Sequence, residues 1–155
     1  FIEDEILQGN LDIAYVLGHP KQKNLQYIHK ADDHLVLIGK NVINHDNVAD
    51  CIHQQNVLLA SEQCCYSTTL DQICVDYQIK KGETTHIFDH EALIQFTQLG
   101  MGISMIAKSL IEKFNIQYYM EIPEQYRNIG LYLIARNDHV FTPIEKQFVG
   151  LNDQL

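Results

Sequence analysis

Short apolar runs alternate with amphipathic stretches along this sequence. Residues 57–60 and 103–106 are apolar at nearly every position and are too short to be helices. Such runs are typical of strands covered on both faces, and their alternation with helices predicts an α/β fold with a mainly parallel sheet. The predicted strands are residues 11–17, 25–29, 35–38, 57–60, 85–88, 103–106, 116–122 and 129–135.

The predicted helices begin at residues that can satisfy free backbone N–H groups. Thr68 and Asp71 have capping-box spacing before one helix, and Asp89 can cap the next, which Gly100 ends. Pro143 stands at the first position of the last helix. Other predicted helices are residues 1–7, 45–54 and 109–114. The predicted buried faces are Val48, Cys51 and Ile52; Leu70, Ile73, Cys74 and Tyr77; Ala92, Leu93, Phe96 and Leu99; and Ile144, Phe148 and Leu151.

The composition fits one folded domain of 155 residues, because 46 % of them are apolar and a disordered chain lacks that much surface to bury. No apolar run is long enough to span a membrane, and no secretion leader precedes the first helix. We therefore expect a cytoplasmic chain with no membrane partner. The net charge of −9 and the absence of a basic cluster indicate that this chain alone does not bind DNA.

Three segments of the chain carry a family resemblance. They are LQGNLDIA at residues 7–14, GMGISMI at 100–106 behind a helix, and CCYSTTL at 64–70. They resemble, respectively, an L-x-x-G-x-L-D-I-A segment, a helix followed by G-x-G-I and a short strand, and a G-C-x-Y-R-x-x-L segment. All three belong to the effector-binding domain of LysR-type transcription regulators. Their order and spacing fit that family along the whole chain.

The resemblance implies a two-lobed α/β fold like that of type 2 periplasmic binding proteins. It places residues 1–37 in lobe I, 38–107 in lobe II and 108–155 back in lobe I, and it leaves the first lobe incomplete. It also implies a parent protein that reads DNA through an N-terminal winged helix-turn-helix, which lies outside this chain. A small-molecule effector would bind between the lobes, and the domain would form a homodimer or homotetramer.

In such a fold the ligand meets helix N-termini at the carboxyl ends of strands, where free N–H groups and the helix dipole favour an anion. The family motif has an arginine at the position where this sequence has Ser67. The bidentate hydrogen bonds that such an arginine could make to a carboxylate are therefore absent there. Asp89 replaces a common serine and either favours a cationic or polyhydroxy effector or simply caps its helix, as Thr68 also could. The predicted effector site consists of Tyr15, Cys65, Tyr66, Ser67, Thr68, Phe88, Asp89, Gly102 and Ile103.

Other functions are weighed against this one. A solute-binding protein of the same fold would carry a secretion leader, and a redox sensor would use Cys64 or Cys65 near a helix N-terminus. An enzyme on this fold would need converging catalytic residues, and no nucleophile elbow or phosphate-binding loop is present. The eight histidines are scattered without a tight Cys/His cluster, so we predict no metal and no cofactor.

Overall fold

The computed structural model describes residues 2–61 and 64–150, which divide into two units. Unit 1 combines the described residues up to Lys30 with those from Leu131 onward, and unit 2 is Ala31–Gly130. The helices are α1 Ile2–Leu7, α2 Val48–Ile52, α3 Cys65–Asp76, α4 His90–Leu99, α5 Leu110–Lys113, α6 Glu124–Arg127 and α7 Pro143–Phe148. The strands are β1 Ile13–Leu17, β2 Leu25–Ile38, β3 Val57–Leu59, β4 Thr84–His86, β5 Ser104–Ala107, β6 Tyr119–Glu121 and β7 Asn128–Arg136.

The chain passes from one unit to the other inside strands β2 and β7. The breaks between the units lie at 30/31 and 130/131, and the lobe boundaries at 37/38 and 107/108 stay a prediction.

Unit 1 has a small apolar core beneath its first helix. Strands β1 and β7 pair in antiparallel fashion, with Val16 opposite Tyr132 and Ala14 opposite Ile134. Ile6 of α1 is buried with Ile134 and with Leu25 at the start of β2. The apolar positions of α1 therefore attach this helix to the strands.

Unit 2 is larger and holds two apolar clusters. The carboxyl half of β2 pairs with β5 and with β6, both antiparallel, while β3 and β4 pair in parallel. A parallel bridge joins Val57 to Ile103. Alternate residues of β2 serve the two clusters, since Leu35 and Leu37 lie in one and Val36 and Ile38 in the other. This explains why this part of the strand is apolar on both faces.

The prediction of a mainly parallel sheet is wrong for the pairings of β1, β2, β5, β6 and β7 given above, which are antiparallel. Burial on both faces makes a strand apolar whatever the direction of its neighbours, so the pattern carries no directional information. The two strands predicted at 25–29 and 35–38 are one strand, β2. The polar residues between them stay extended and do not form the expected turn.

Helix α3 begins three residues before its predicted cap. Cys64 is the N-cap residue, and Thr68 lies inside the helix, where its hydroxyl donates to the Cys65 carbonyl at 3.1 Å. Asp71 accepts from Lys81 Nζ. The predicted capping box of Thr68 and Asp71 is therefore wrong. A hydroxyl within a helix can bond back to its own turn, which a spacing rule does not detect.

Helix α4 begins and ends as predicted. Asp89 accepts a hydrogen bond from the Ala92 N–H at 2.7 Å, and Gly100 ends the helix at a φ of +93°, which favours glycine. The predicted buried face is correct at Leu93 but wrong at Phe96 and Leu99, which are exposed. Ile94 and Thr97 are buried instead, because the cluster that α4 contacts lies about one position round the helix.

Helix α7 begins at the predicted residue but turns its predicted face outward. Ile144 and Phe148 are exposed, which corrects the predicted buried stripe, and Leu151 lies outside the described residues. The start is a complete capping box. The Thr142 hydroxyl accepts from the Glu145 N–H at 3.3 Å, and the Thr142 N–H donates to the Glu145 carboxylate at 2.7 Å.

Replacing Thr142 with alanine should lower the free energy of unfolding by about 0.5–2 kcal/mol, because the hydroxyl side of the box is lost. The hydrogen bonds from the Thr142 N–H and hydroxyl hold the pKa of Glu145 below its ordinary value of 4.5. A lowered pKa means that this stabilisation is full above about pH 4.5 and is lost as the pH falls through the folded-state value.

Urea unfolding of the parent chain and of Thr142→Ala near neutral pH tests the role of the cap. The same measurement below about pH 4.5 tests the pH dependence. The exposed replacement Thr85→Ala, outside any helix cap, is the control and should change little. An equal loss in both variants at neutral pH would contradict the assigned role of Thr142.

Candidate functional site

One hollow in unit 2 gathers hydroxyl, thiol and imidazole groups over an apolar floor. We call it the α3 hollow. It is a small depression of about 230 Å³ with open solvent included. Its polar side chains are Cys64, Tyr66, Ser67, His90 and Ser104, and its apolar ones are Leu59, Ala60, Leu93, Met105 and Ile106.

The N-terminus of α3 forms one wall of this hollow. The N-cap residue Cys64 makes no side-chain capping hydrogen bond, so the first N–H groups of this 12-residue helix have no side-chain cap among the described residues. Free N–H groups and the helix dipole together attract negative charge. This wall is therefore suited to a carboxylate or another electronegative group.

A short hydrogen-bond network holds the first turn of α3 to the preceding loop. The Ser67 hydroxyl donates to the Ser61 carbonyl, and the Cys64 thiol donates to the same carbonyl at 3.2 Å. The Cys64 sulfur also lies 3.2 Å from the Ser67 hydroxyl oxygen. Ser67 thus has a structural role in addition to lining the hollow.

Ser104 is the most informative residue of the hollow. Only 2 % of its surface is exposed, and it lines the hollow from β5. Its hydroxyl can donate or accept a hydrogen bond there, and such a bond is stronger in a largely buried position than at an open surface. The sequence reasoning missed Ser104, but one polar residue inside the run ISMIA was a signal that could have found it.

Tyr66 and His90 complete the polar lining. Burial raises the pKa of Tyr66 to about 12, with further increases from Cys65, Cys64 and Asp33 that outweigh a backbone hydrogen bond with Ala107. Its hydroxyl is therefore protonated and neutral at physiological pH. Among the lining residues there is no lysine or arginine, so the only one able to carry a positive charge is His90.

Only part of the predicted site is brought together here. Tyr66 and Ser67 line the hollow, while Cys65 and Thr68 occupy the same helical turn beside them, Thr68 with an exposed side chain. Phe88 is 82 % exposed and precedes α4. The side chain of Asp89 caps α4, as its alternative interpretation held. Effector contacts for Cys65, Thr68, Phe88 and Asp89 remain predictions.

Gly102 and Ile103 line a different hollow of unit 2, and their effector contact stays a prediction. The Ile103 N–H donates to the Asn56 carbonyl at 2.9 Å, and its carbonyl accepts from the Leu58 N–H at 2.9 Å. The backbone groups of Ile103 are thus used within the sheet. Tyr15 belongs to β1 in unit 1, and its effector contact also stays a prediction.

None of the four cysteines forms a disulfide within the described part of the chain. Burial raises the pKa of Cys51 to about 11 and also raises the pKa of Cys74, so neither forms a thiolate readily. Within the described ranges, 2–61 and 64–150, there is no group of three or more side chains suited to hold a metal. A search of the same ranges finds no helix long and apolar enough to span a membrane.

Known proteins share both the sequence pattern and the fold. The chain is 22 % identical to the HTH-type transcriptional regulator YofA of Bacillus subtilis, over 94 % of this chain and 50 % of that protein. It thus spans about half the length of the curated relatives it matches.

Two solved structures have the same fold. The CcmR regulatory domain of Synechocystis, in complex with 2-PG, matches with a TM-score of 0.79 and 15 % identity, over 96 % of this chain and 75 % of that one. The QuiR effector-binding domain in complex with shikimate matches with a TM-score of 0.75 and 16 % identity, over 95 % of this chain and 72 % of that one. The predicted fold class, an α/β fold like that of LysR effector domains, is therefore confirmed.

The model of the LysR substrate binding domain matches residues 1–152, almost the whole sequence. This agrees with the resemblance of LQGNLDIA, CCYSTTL and GMGISMI to that family. The chain therefore belongs to the family of LysR substrate-binding domains.

Proposed function

We propose that this chain is the effector-sensing part of a DNA-binding transcription regulator and that a small metabolite binds in the α3 hollow. The observation that carries the proposal is the largely buried Ser104, which lines the α3 hollow beside the uncapped N-terminus of α3. The two features offer hydrogen-bond donors to the same small ligand. Family membership supports this function over that of a free solute-binding protein.

The hollow indicates the chemistry of its ligand. Backbone N–H groups and the neutral hydroxyls of Tyr66 and Ser104 suit one carboxylate or a comparable polar end. Leu59, Leu93 and Met105 suit an apolar body. Because lysine and arginine are absent from the described lining, we expect a ligand with one negative charge or none rather than a polyanion.

We extend the proposal to the whole regulator. The part of the protein outside this chain would carry the DNA-binding head, and the regulator would be a cytoplasmic homodimer or homotetramer. An effector can shift the regulator between two arrangements only if it binds one of them more tightly. The CcmR domain is in complex with 2-PG and the QuiR domain with shikimate, and the donors of the α3 hollow support a small-molecule ligand here.

The first test is a thermal-melt screen of the chain against small carboxylates, with and without reductant. A specific ligand at about 100 times its Kd should stabilise the folded state by about 2.7 kcal/mol. Thermal stabilisation by a ligand that is the same with and without reductant supports effector binding. Absence of any hit, together with a melt that moves on oxidation alone, would favour the thiol-sensor alternative at Cys64 or Cys65.

Two serine variants then test whether the ligand binds in the α3 hollow. Ser104→Ala should weaken binding about tenfold, because a hydrogen bond from a buried hydroxyl to a charged ligand is lost. The matched control is Ser109→Ala, since Ser109 is exposed and makes no side-chain capping bond. Equal affinity in both variants would place the ligand outside the α3 hollow.

A further inference from the structure

A second hollow in unit 2 is lined by polar side chains that the proposed function does not use. We call it the Lys40 hollow. Lys40, Asn41, His45 and Gln55 line it, together with the backbone of Gly100. It lies beside the first residue of β3, whereas the α3 hollow lies beside the last, so the two are separate sites.

The four polar side chains have no protein partner. Within the described part of the chain, Lys40 makes no ion pair, and the side chains of Asn41, His45 and Gln55 make no hydrogen bond. No acidic side chain lines the hollow either. Acidic residues outnumber lysines and arginines by 20 to 11 in this sequence, so an acid-free hollow with a lysine and a histidine departs from the general charge balance.

The stem of Lys40 lies against the backbone of Gly100, while the residue as a whole is exposed. A Cβ added at Gly100 would lie 3.1 Å from Lys40 Cδ and 3.5 Å from Lys40 Cβ, so the methylene stem crosses the glycine backbone closely. Gly100 has a φ of +93° and ends α4, which leaves no side chain to displace that stem. A lysine whose stem is packed loses less freedom on binding than one that extends into water.

The floor of the hollow does not oppose negative charge. Cys51 is buried there, and burial raises the pKa of its thiol to about 11, so the thiol stays neutral. Val42 and Ile103 supply apolar surface beside it. Every ionisable or polar group that faces the space is therefore a cation, a hydrogen-bond donor or a neutral group.

We propose that the Lys40 hollow is a second ligand site, distinct from the effector site, that binds a small oxyanion through Lys40, His45, Asn41 and Gln55. The lysine supplies the charge, the imidazole supplies an N–H, and the two amides supply NH₂ donors. Donors on four side chains around one space suit the tetrahedral oxygens of a phosphate group better than the planar oxygens of a carboxylate. The hollow is small, about 270 Å³ with open solvent included, so we expect it to take a small ion or one such group of a larger molecule.

Titration of the whole chain with inorganic phosphate, followed by ¹⁵N–¹H correlation spectra at constant pH and ionic strength, tests this site. We expect saturable shifts centred on the amides of Gly100, Gly102 and their neighbours. Lys40→Met keeps the packed stem and removes the charge, so it should weaken phosphate binding about tenfold or more. His45→Gln should weaken it less, and acetate should bind more weakly than phosphate.

Matched controls separate this site from general charge effects. Lys80→Met and His53→Gln change exposed residues of the same unit outside the hollow and should leave phosphate affinity unchanged. Shifts that do not saturate, or that persist unchanged in both Lys40→Met and His45→Gln, would overturn the proposal. Ser104→Ala should not affect phosphate binding, so the outcome is independent of the effector site.

Discussion

Replacing Leu37 with alanine should lower the free energy of unfolding by about 2–5 kcal/mol, the largest effect expected from any single change described here. Leu37 is 0 % exposed and lies on β2 between Met105 of β5 and Met120 of β6. Its side chain belongs to the larger apolar cluster of unit 2, so truncation removes buried surface and leaves a cavity. Neighbouring strands hold the backbone in place and limit collapse into that space.

Leu99→Ala is the matched control, because it removes the same atoms from a leucine that is 70 % exposed at the end of α4. Its effect should stay within about 0.5 kcal/mol. Denaturant unfolding of the two variants and the parent chain gives the comparison. Similar losses for both leucines would show that the cluster around Leu37 is not the core of unit 2.

Adding a methyl group at Gly102 should cost about 1–3 kcal/mol or more, through overpacking rather than lost contact. The new Cβ would lie 2.6 Å from the Asn56 carbonyl oxygen and 3.3 Å from Leu58 Cγ. That carbonyl also accepts the Ile103 N–H at 2.9 Å, so relief of the clash would pull apart the bridge between β3 and the start of β5. No side-chain rotation can remove a clash with backbone.

The test compares Gly102→Ala with Met101→Ala, since Met101 is exposed and adjacent in the chain. Urea unfolding should show a clear loss for the glycine variant and little change for the methionine variant. Since Gly102 lines the Lys40 hollow, the glycine variant should also bind phosphate less tightly where it remains folded. Unchanged stability in Gly102→Ala would mean that the Asn56 segment can move aside.

The helix caps show which parts of the fold could be predicted from the sequence. Asp89 caps α4 and Pro143 opens α7 as predicted, because the start of a helix depends on groups only about three residues apart. Thr68 failed by the same rule, since Cys64 begins α3 without any side-chain cap. A cysteine at that position carries no recognisable signal for a helix start, so the local pattern favoured the wrong residue.

Only part of the candidate site could be predicted from the sequence, because its residues come from segments that are far apart in the chain. Tyr66 and Ser67 were predicted because the CCYSTTL segment resembles a family motif, and they line the α3 hollow. Ser104 and His90 reach the same hollow from β5 and α4, and their contribution depends on strand pairing and helix packing rather than on neighbours in sequence. Gly102 and Ile103 line the Lys40 hollow instead, and their contact with an effector stays a prediction.

By itself the sequence determined most of the strands and helices, the start of α4 and α7, and the family, since each depends on residues close together in the chain. It missed α6 and divided β2 into two strands. Only the tertiary structure decided that the pairings of β2 are antiparallel, that Phe96 and Leu99 face outward, and that Ser104 lies buried in the lining of the α3 hollow. The spacing of apolar and polar residues predicts that a side chain is buried, but it does not predict which residue packs against it. The direction of a strand, the rotation of a helix and the residues that share a hollow follow from packing between segments that are far apart in sequence.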